Sequence, residues 1–302
     1  MNNKLSAQPW KAYSFLVLAQ TMVGINIVGT KFLVESTPLL FLLAIRFLFA
    51  TILLLPLHWI LDSDKRSLRY HLSTMNKRDW LIIAAQAICA GTLFNILMIW
   101  GLRFTDANVA GIITSALPAI IAIMCWLILK EQFTRKKSLC VGLATLGLLI
   151  ISLNNLVGVE LKRSYIGDFL VLLALLPEAT YYVLTKLKFT RLPIFLMSAL
   201  MNGINMLILF PIMFLFVDLT ETMPLYNWLI IIVIGLGTGL FYVFWFLGSE
   251  KVDAIMGSLS TAVMPIATVT IAWLVLGEVI TWIQLAGMAL VIGSIVIYAR
   301  SD

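Results

Sequence analysis

In the run LLALLPEATYYVL, residues 172–184, one carboxylate sits among apolar side chains, with a proline before it and two tyrosines soon after. Glu178 lies eleven residues past Gly167, which at ~1.5 Å per helical residue is about 17 Å into an apolar layer about 30 Å thick. A charge at that depth costs on the order of 2.5 to 3.5 kcal/mol. The group must therefore face a cavity, hold a partner or take up a proton. Two functional chemistries follow. Glu178 exchanges a proton as access to it alternates, or it attracts an amine or quaternary cation, helped by the negative ring faces of Tyr181, Tyr182 and Tyr242. The structural alternative is an ion pair with Arg46, the one basic residue placed deep in an apolar run, about 12 Å from its nearer end.

The remaining polar groups in apolar runs are candidates for contacting a solute: Asn26 and Asn95 first, then Asn202, Asn205, Gln20 and Gln86. Each asparagine has an alternative use, bonding across helices for under roughly 1 kcal/mol. Catalytic chemistry finds little support. The only histidines are His58 and His71, near one loop, without metal-ligand spacing, and there is no paired-aspartate motif or nucleophile elbow. No cofactor or metal signature is present, and neither a glycine-rich filter nor a ring of like charges suggests a channel. Cys89, Cys125 and Cys140 all fall in apolar runs and read as packing residues.

The elements that position these residues follow from composition. With 61% hydrophobic and 12% charged residues, the chain is far from a soluble domain. Ten stretches are long enough to span a bilayer: Ala12 to Thr30, Pro38 to Leu61, Trp80 to Leu102, Ala107 to Leu129, Leu139 to Leu156, Gly167 to Thr185, Pro193 to Phe216, Leu225 to Leu247, Ala254 to Leu276 and Thr281 to Ala299. The bilayer is thus the first partner. The net charge of +6 does not indicate nucleic acid, because it sorts by side. Of the 21 basic residues, Lys4, Lys11, Lys65, Arg66, Arg69, Lys77, Arg78, Lys130, Arg135, Lys136, Lys137, Lys186, Lys188, Arg191, Lys251 and Arg300 fall on one face. Only Lys31, Arg103, Lys162 and Arg163 fall on the other. Basic loops stay in the cytoplasm, so both termini are expected there.

The chain also repeats itself. At an offset of 147, Gly101, Asp106, Ala107, Thr114, Pro118, Trp126, Glu131 and Thr134 match Gly248, Asp253, Ala254, Thr261, Pro265, Trp273, Glu278 and Thr281. At an offset of 155, Ala19, Thr30, Lys31, Pro38 and Ala44 match Ala174, Thr185, Lys186, Pro193 and Ala199. Five spans per half is an odd number, so the second half enters the membrane from the opposite side. Inverted repeats of this kind supply a transporter with two nearly equivalent states around a site near the midplane. Asp106 and Asp253 read as helix N-caps, and Glu131 and Glu278 as structural carboxylates at the wet interface. Pro118 and Pro265 are expected to kink their spans. The repeat pairs Asn26 with Tyr181 and Asn95 with Tyr242.

GINIVGTK in the first span, AIRF in the second, and the run from Pro265 through Gly277, Glu278 and Thr281 to Gly287 resemble the EamA-type drug/metabolite transporter superfamily. The resemblance implies a ten-helix inner-membrane carrier for small organic molecules, with the fifth and tenth helices peripheral and the others around a central cavity. It places Asn26, Tyr181, Asn95 and Tyr242 on cavity-lining helices, and gives Arg46 a mainly architectural role, since the family shows arginine there regardless of cargo. The expected architecture is all-α, two inverted five-helix repeats over residues 1–156 and 157–302. The expected activity is alternating-access transport of a small organic solute such as an amino acid or amine, without a cofactor, with protons as the candidate coupling ion. A flippase for lipid-linked substrates is the alternative on the same fold, and a membrane-embedded enzyme a more distant one.

Overall fold

The computed structural model describes residues 9–33, 37–62, 64–153, 164–187, 192–217 and 223–300, without the side chains of 9, 107 and 108. Lys4, Lys162, Arg163, Lys188 and Arg191, and the boundary between residues 156 and 157, lie outside the described residues. Among the described residues, ten helices are long and apolar enough to cross a membrane. They are α1 (Pro9–Leu33), α2 (Leu39–Leu61), α3 (77–104), α4 in two pieces (α4a Ala107–Thr114, α4b Leu117–Leu129), α5 (Arg135–Leu153), α6 (Tyr165–Leu187), α7 (Ile194–Phe216), α8 (Leu225–Ser249), α9 in two pieces (α9a Ala254–Ser260, α9b Val263–Leu276) and α10 (Trp282–Ala299). α1 and α10 begin and end the described chain at one end of the bundle, here the terminal end. The other is the far end.

Several helices run past the charges that bounded the sequence expectation. α1 includes Lys11 and Lys31, both exposed, as a long side chain with a charged head can be near the end of a spanning helix. α3 begins at Lys77 behind a capping box: Asn76 accepts from the Asp79 N–H at 2.9 Å, and Asp79 accepts from the Asn76 N–H at 3.2 Å. That closure satisfies two free donors of the first turn.

Pro118 and Pro265 do not bend continuous helices. α4 breaks at Ser115–Ala116 and α9 at Thr261–Ala262, so each proline sits in the first turn of a new helix, where its missing N–H has no partner to lose. Ser115 and Thr261 turn their hydroxyls back onto the Ile112 and Ser258 carbonyls at the joints.

The packing is two-fold. α1 lies against α8 and α9b, as α6 lies against α3 and α4b, while α2 pairs with α7 and α5 with α10. Equivalent atoms make equivalent contacts. A Cβ on Gly101 would come within 2.7 Å of Val171, and one on Gly248 within 2.8 Å of Leu16. Leu16 and Val171 are themselves repeat partners, 155 residues apart. Small residues that let backbones approach closely are what holds helices together in lipid, where burial of apolar surface contributes little.

At the terminal end the loop after α2 is fastened by a buried polar cluster. His58 Nδ1 meets Asp62 Oδ2 at 2.9 Å and His58 Nε2 meets the Arg66 carbonyl at 3.2 Å. Asp62 also accepts from the Phe195 N–H at 3.3 Å, which ties the loop to the start of α7.

Candidate functional site

Between the two halves lies a cavity of about 430 Å³, lined by Gln20, Asn26, Arg46, Asn95, Glu178, Tyr182 and Tyr242 among apolar and threonine side chains. Its floor is symmetric. Val23 with Glu178, Ile27 with Tyr182, Phe94 with Phe241, Thr114 with Thr261 and Leu117 with Met264 are repeat partners, and both members of each pair line it. Its mouth is not. Leu39, Leu42, Arg46, Ile99 and Leu102 line the cavity toward the far end, whereas their partners Ile194, Met197, Met201, Phe246 and Ser249 do not. The cavity therefore runs from mid-depth to the far end only.

Arg46 and Glu178 share this cavity without pairing: no ion pair joins them among the described residues, contrary to the structural alternative read from sequence. Arg46 donates instead to Asn95 Oδ1 at 3.0 Å, and its Nε is buried without a protein partner. Asn95 is aimed by a local defect in its helix. Residues Ile88–Leu93 of α3 form a π-helical segment, which leaves the Gly91 carbonyl to accept from Asn95 Nδ2 at 2.5 Å, turning Oδ1 toward the guanidinium. Glu178 and Tyr182, one helical turn apart on α6, both line the cavity. Asn26 Oδ1 and Gln20 Nε2 are buried on the same wall without protein partners. Buried polar atoms are rarely left so, and here the exceptions border a cavity wide enough for a solute or water.

The other sequence candidates stand off the wall. Tyr181, next to Tyr182 but turned by the helical step, is buried in an aromatic cluster with Tyr242, Phe241 and Trp245. Asn202 is fully buried and donates to the Ser198 carbonyl at 2.7 Å. Asn205 accepts from Thr92 at 2.8 Å and donates to the Met201 carbonyl at 3.0 Å, which clamps α7 onto the π-helical segment. Gln86 is buried outside the lining.

The model of the EamA-like transporter family matches residues 10–153 and 165–300. The chain belongs to the EamA-like transporter family. It is similar to the "Uncharacterized transporter YetK" of Bacillus subtilis (strain 168), 26% identical over 291 residues, covering 94% of this chain and 85% of the relative. The "Uncharacterized transporter YoaV" of the same organism is 26% identical over 187 residues, covering 61% of this chain and 64% of the relative. A crystal structure 14% identical in sequence superposes with a TM-score of 0.78, covering 96% of this chain and 99% of that one, a likeness of fold.

The two ends of this EamA-like transporter are fastened differently. At the terminal end Glu131 accepts from the Ala254 N–H at 2.9 Å, and Lys186 donates to the Ser249 and Val252 carbonyls. Asp253 caps α9a through the Met256 N–H at 2.8 Å and accepts from Lys137 at 2.7 Å and from Tyr298. Partial burial pushes the Asp253 carboxyl up, but the bonds from Lys137, Tyr298 and the Met256 N–H outweigh it and hold the carboxyl below its ordinary value; it is charged at neutral pH. At the far end Glu278 pairs with Lys31, and these side chains are 45% and 61% exposed.

Proposed function

We propose that this chain is a secondary transporter that moves a small organic solute carrying an amine, such as an amino acid, across the cytoplasmic membrane by alternating access. Both termini lie in the cytoplasm, and residues 1–156 and 157–302 act as the two inverted halves. The observation that carries the reading is that an arginine and a glutamate, Arg46 and Glu178, line one cavity without forming an ion pair among the described residues, Arg46 bonding Asn95 instead. A solute with an ammonium and a carboxylate complements both, with the tyrosine faces beside Glu178 favouring the ammonium. Asn26, Asn95 and Tyr242 complete the polar wall, while Tyr181, Asn202 and Asn205 support it from behind. The family match and the transporter-named relatives favour carriage over catalysis.

Uptake of radiolabelled amino acids and amines into proteoliposomes tests this. Glu178→Gln keeps size and hydrogen bonding but cannot ionise, so transport should fall at least tenfold while the protein stays monodisperse. If Glu178 also carries a coupling proton, residual transport loses its dependence on pH; if it binds only the ammonium, KM rises and the pH dependence stays. Normal transport in a well-folded Glu178→Gln variant would sink the assignment.

A further inference from the structure

The repeat supplies the same charged residues to both ends of the bundle, yet they are used differently. Lys31 and Lys186 are partners at an offset of 155; Asp106 and Asp253, and Glu131 and Glu278, are partners at 147. At the terminal end, which this cavity does not reach, Glu131 of the first half reaches the joint between α8 and α9a in the second, bonding the Ala254 N–H, while Lys186 holds the carbonyls on the other side of that joint. At the far end, where the cavity opens, the equivalent pair Glu278 and Lys31 hold each other in solvent. The joint equivalent to that of α8 and α9a is the one between α3 and α4a, whose carbonyls at Leu102 and Thr105 and N–H at Ala107 correspond to Ser249, Val252 and Ala254.

Resting on the alternating-access reading, we infer that these residues form a reciprocal latch: Glu131 and Lys186 lock the terminal end in the state seen here. In the opposite state they release, and Glu278 and Lys31 leave each other to lock the far end by bonding the Ala107 N–H and the Leu102 and Thr105 carbonyls. Geometry and energetics agree. A charge-assisted bond to backbone groups in a half-buried joint is stronger than an ion pair in water, so whichever end is docked is the closed one. Glu131 and Glu278 thus act on opposite states, although they are equivalent in sequence.

The test uses the full-length protein in nanodiscs with a membrane-impermeant maleimide. Reporter cysteines are placed at two repeat partners: Ile99→Cys, on the cavity wall, and Phe246→Cys, packed in the closed half. Native cysteines stay in place, and labelling is read peptide by peptide by mass spectrometry. Ile99→Cys should label at least tenfold faster than Phe246→Cys. Adding Glu131→Gln or Lys186→Met should raise labelling at Phe246→Cys severalfold and slow it at Ile99→Cys. Adding Glu278→Gln or Lys31→Met should slow Phe246→Cys at least threefold, and the combined Glu131→Gln and Glu278→Gln variant should return the ratio toward its starting value. Effects in the same direction for the two glutamates, or no effect, overturn the latch. If the terminal-end variants do not fold, the exposed Glu278 and Lys31 decide alone, since unchanged or faster labelling of Phe246→Cys contradicts it. Fast labelling at both positions at once marks a through pore and sinks alternating access as well; slow labelling at Phe246→Cys that no latch variant changes sinks the latch alone.

Discussion

Lys130 holds a backbone conformation that its repeat partner reaches with a glycine. φ is 55° at Lys130 and 69° at Gly277, each the left-handed residue that ends its helix, α4b and α9b. A side chain in that region costs about 1–2 kcal/mol, offset in part by the greater chain entropy that glycine loses on folding, about 0.5–1 kcal/mol. Lys130→Gly should therefore raise the apparent melting temperature of the purified protein, by the equivalent of about 0.5 to 1 kcal/mol; a lower melting temperature would show that the lysine side chain makes a stabilising contact. The mismatch at this position is visible in the sequence, and so is the depth of Glu178, because depth needs only counting. Which polar residues face the cavity is not. Tyr181 and Tyr182 are neighbours, and only the second reaches the wall. In lipid the outer face of a helix is as apolar as its packed face, so the pattern that reveals helix rotation in soluble proteins is weak.

Among the elements, α3 and α7 depend on each other through one side chain. A Cβ built on Gly91 falls 2.1 to 2.3 Å from three atoms of Asn205, all in its side chain. Gly91→Ala should therefore destabilise the protein or reduce its yield, by about 1–3 kcal/mol as overpacking does. Adding Asn205→Ala should recover much of the loss, read as melting temperature in detergent. Failure of the second change to rescue the first would mean that the π-helical segment needs the bond between Asn205 and Thr92 more than it needs space. This coupling is illegible in sequence, where Asn205 reads as a candidate for solute contact: a π-helical insertion has no residue signature beyond small side chains such as Gly91 and Thr92. The breaks in α4 and α9 are half legible. Pro118 and Pro265 mark them, but a proline tolerated in a first turn places the break before itself, whereas a kink was the expectation.

At the scale of the whole molecule, the proposed orientation rests on charge asymmetry, and a reporter fusion after Arg300 decides it: a reporter active only in the periplasm should stay silent, and activity would invert the assignment. The ten spans and their inversion were legible because length, hydropathy and repeat offsets survive in the sequence. The open end was not, because under the proposed alternating access two states built from equivalent halves differ by little free energy and one sequence must encode both. The halves are not identical, however, where the cavity meets the solute. Arg46 has Met201 as its repeat partner, so a solute facing the far side meets a guanidinium that has no counterpart when the other side is open. Equilibrium fixes the final distribution whatever the wall is made of, but not the concentration at which each face saturates. On the proposed reading, a carboxylate-bearing solute should fill this carrier at lower concentration from the far face, which would make it a better scavenger in one direction than in the other while its thermodynamic balance stays untouched.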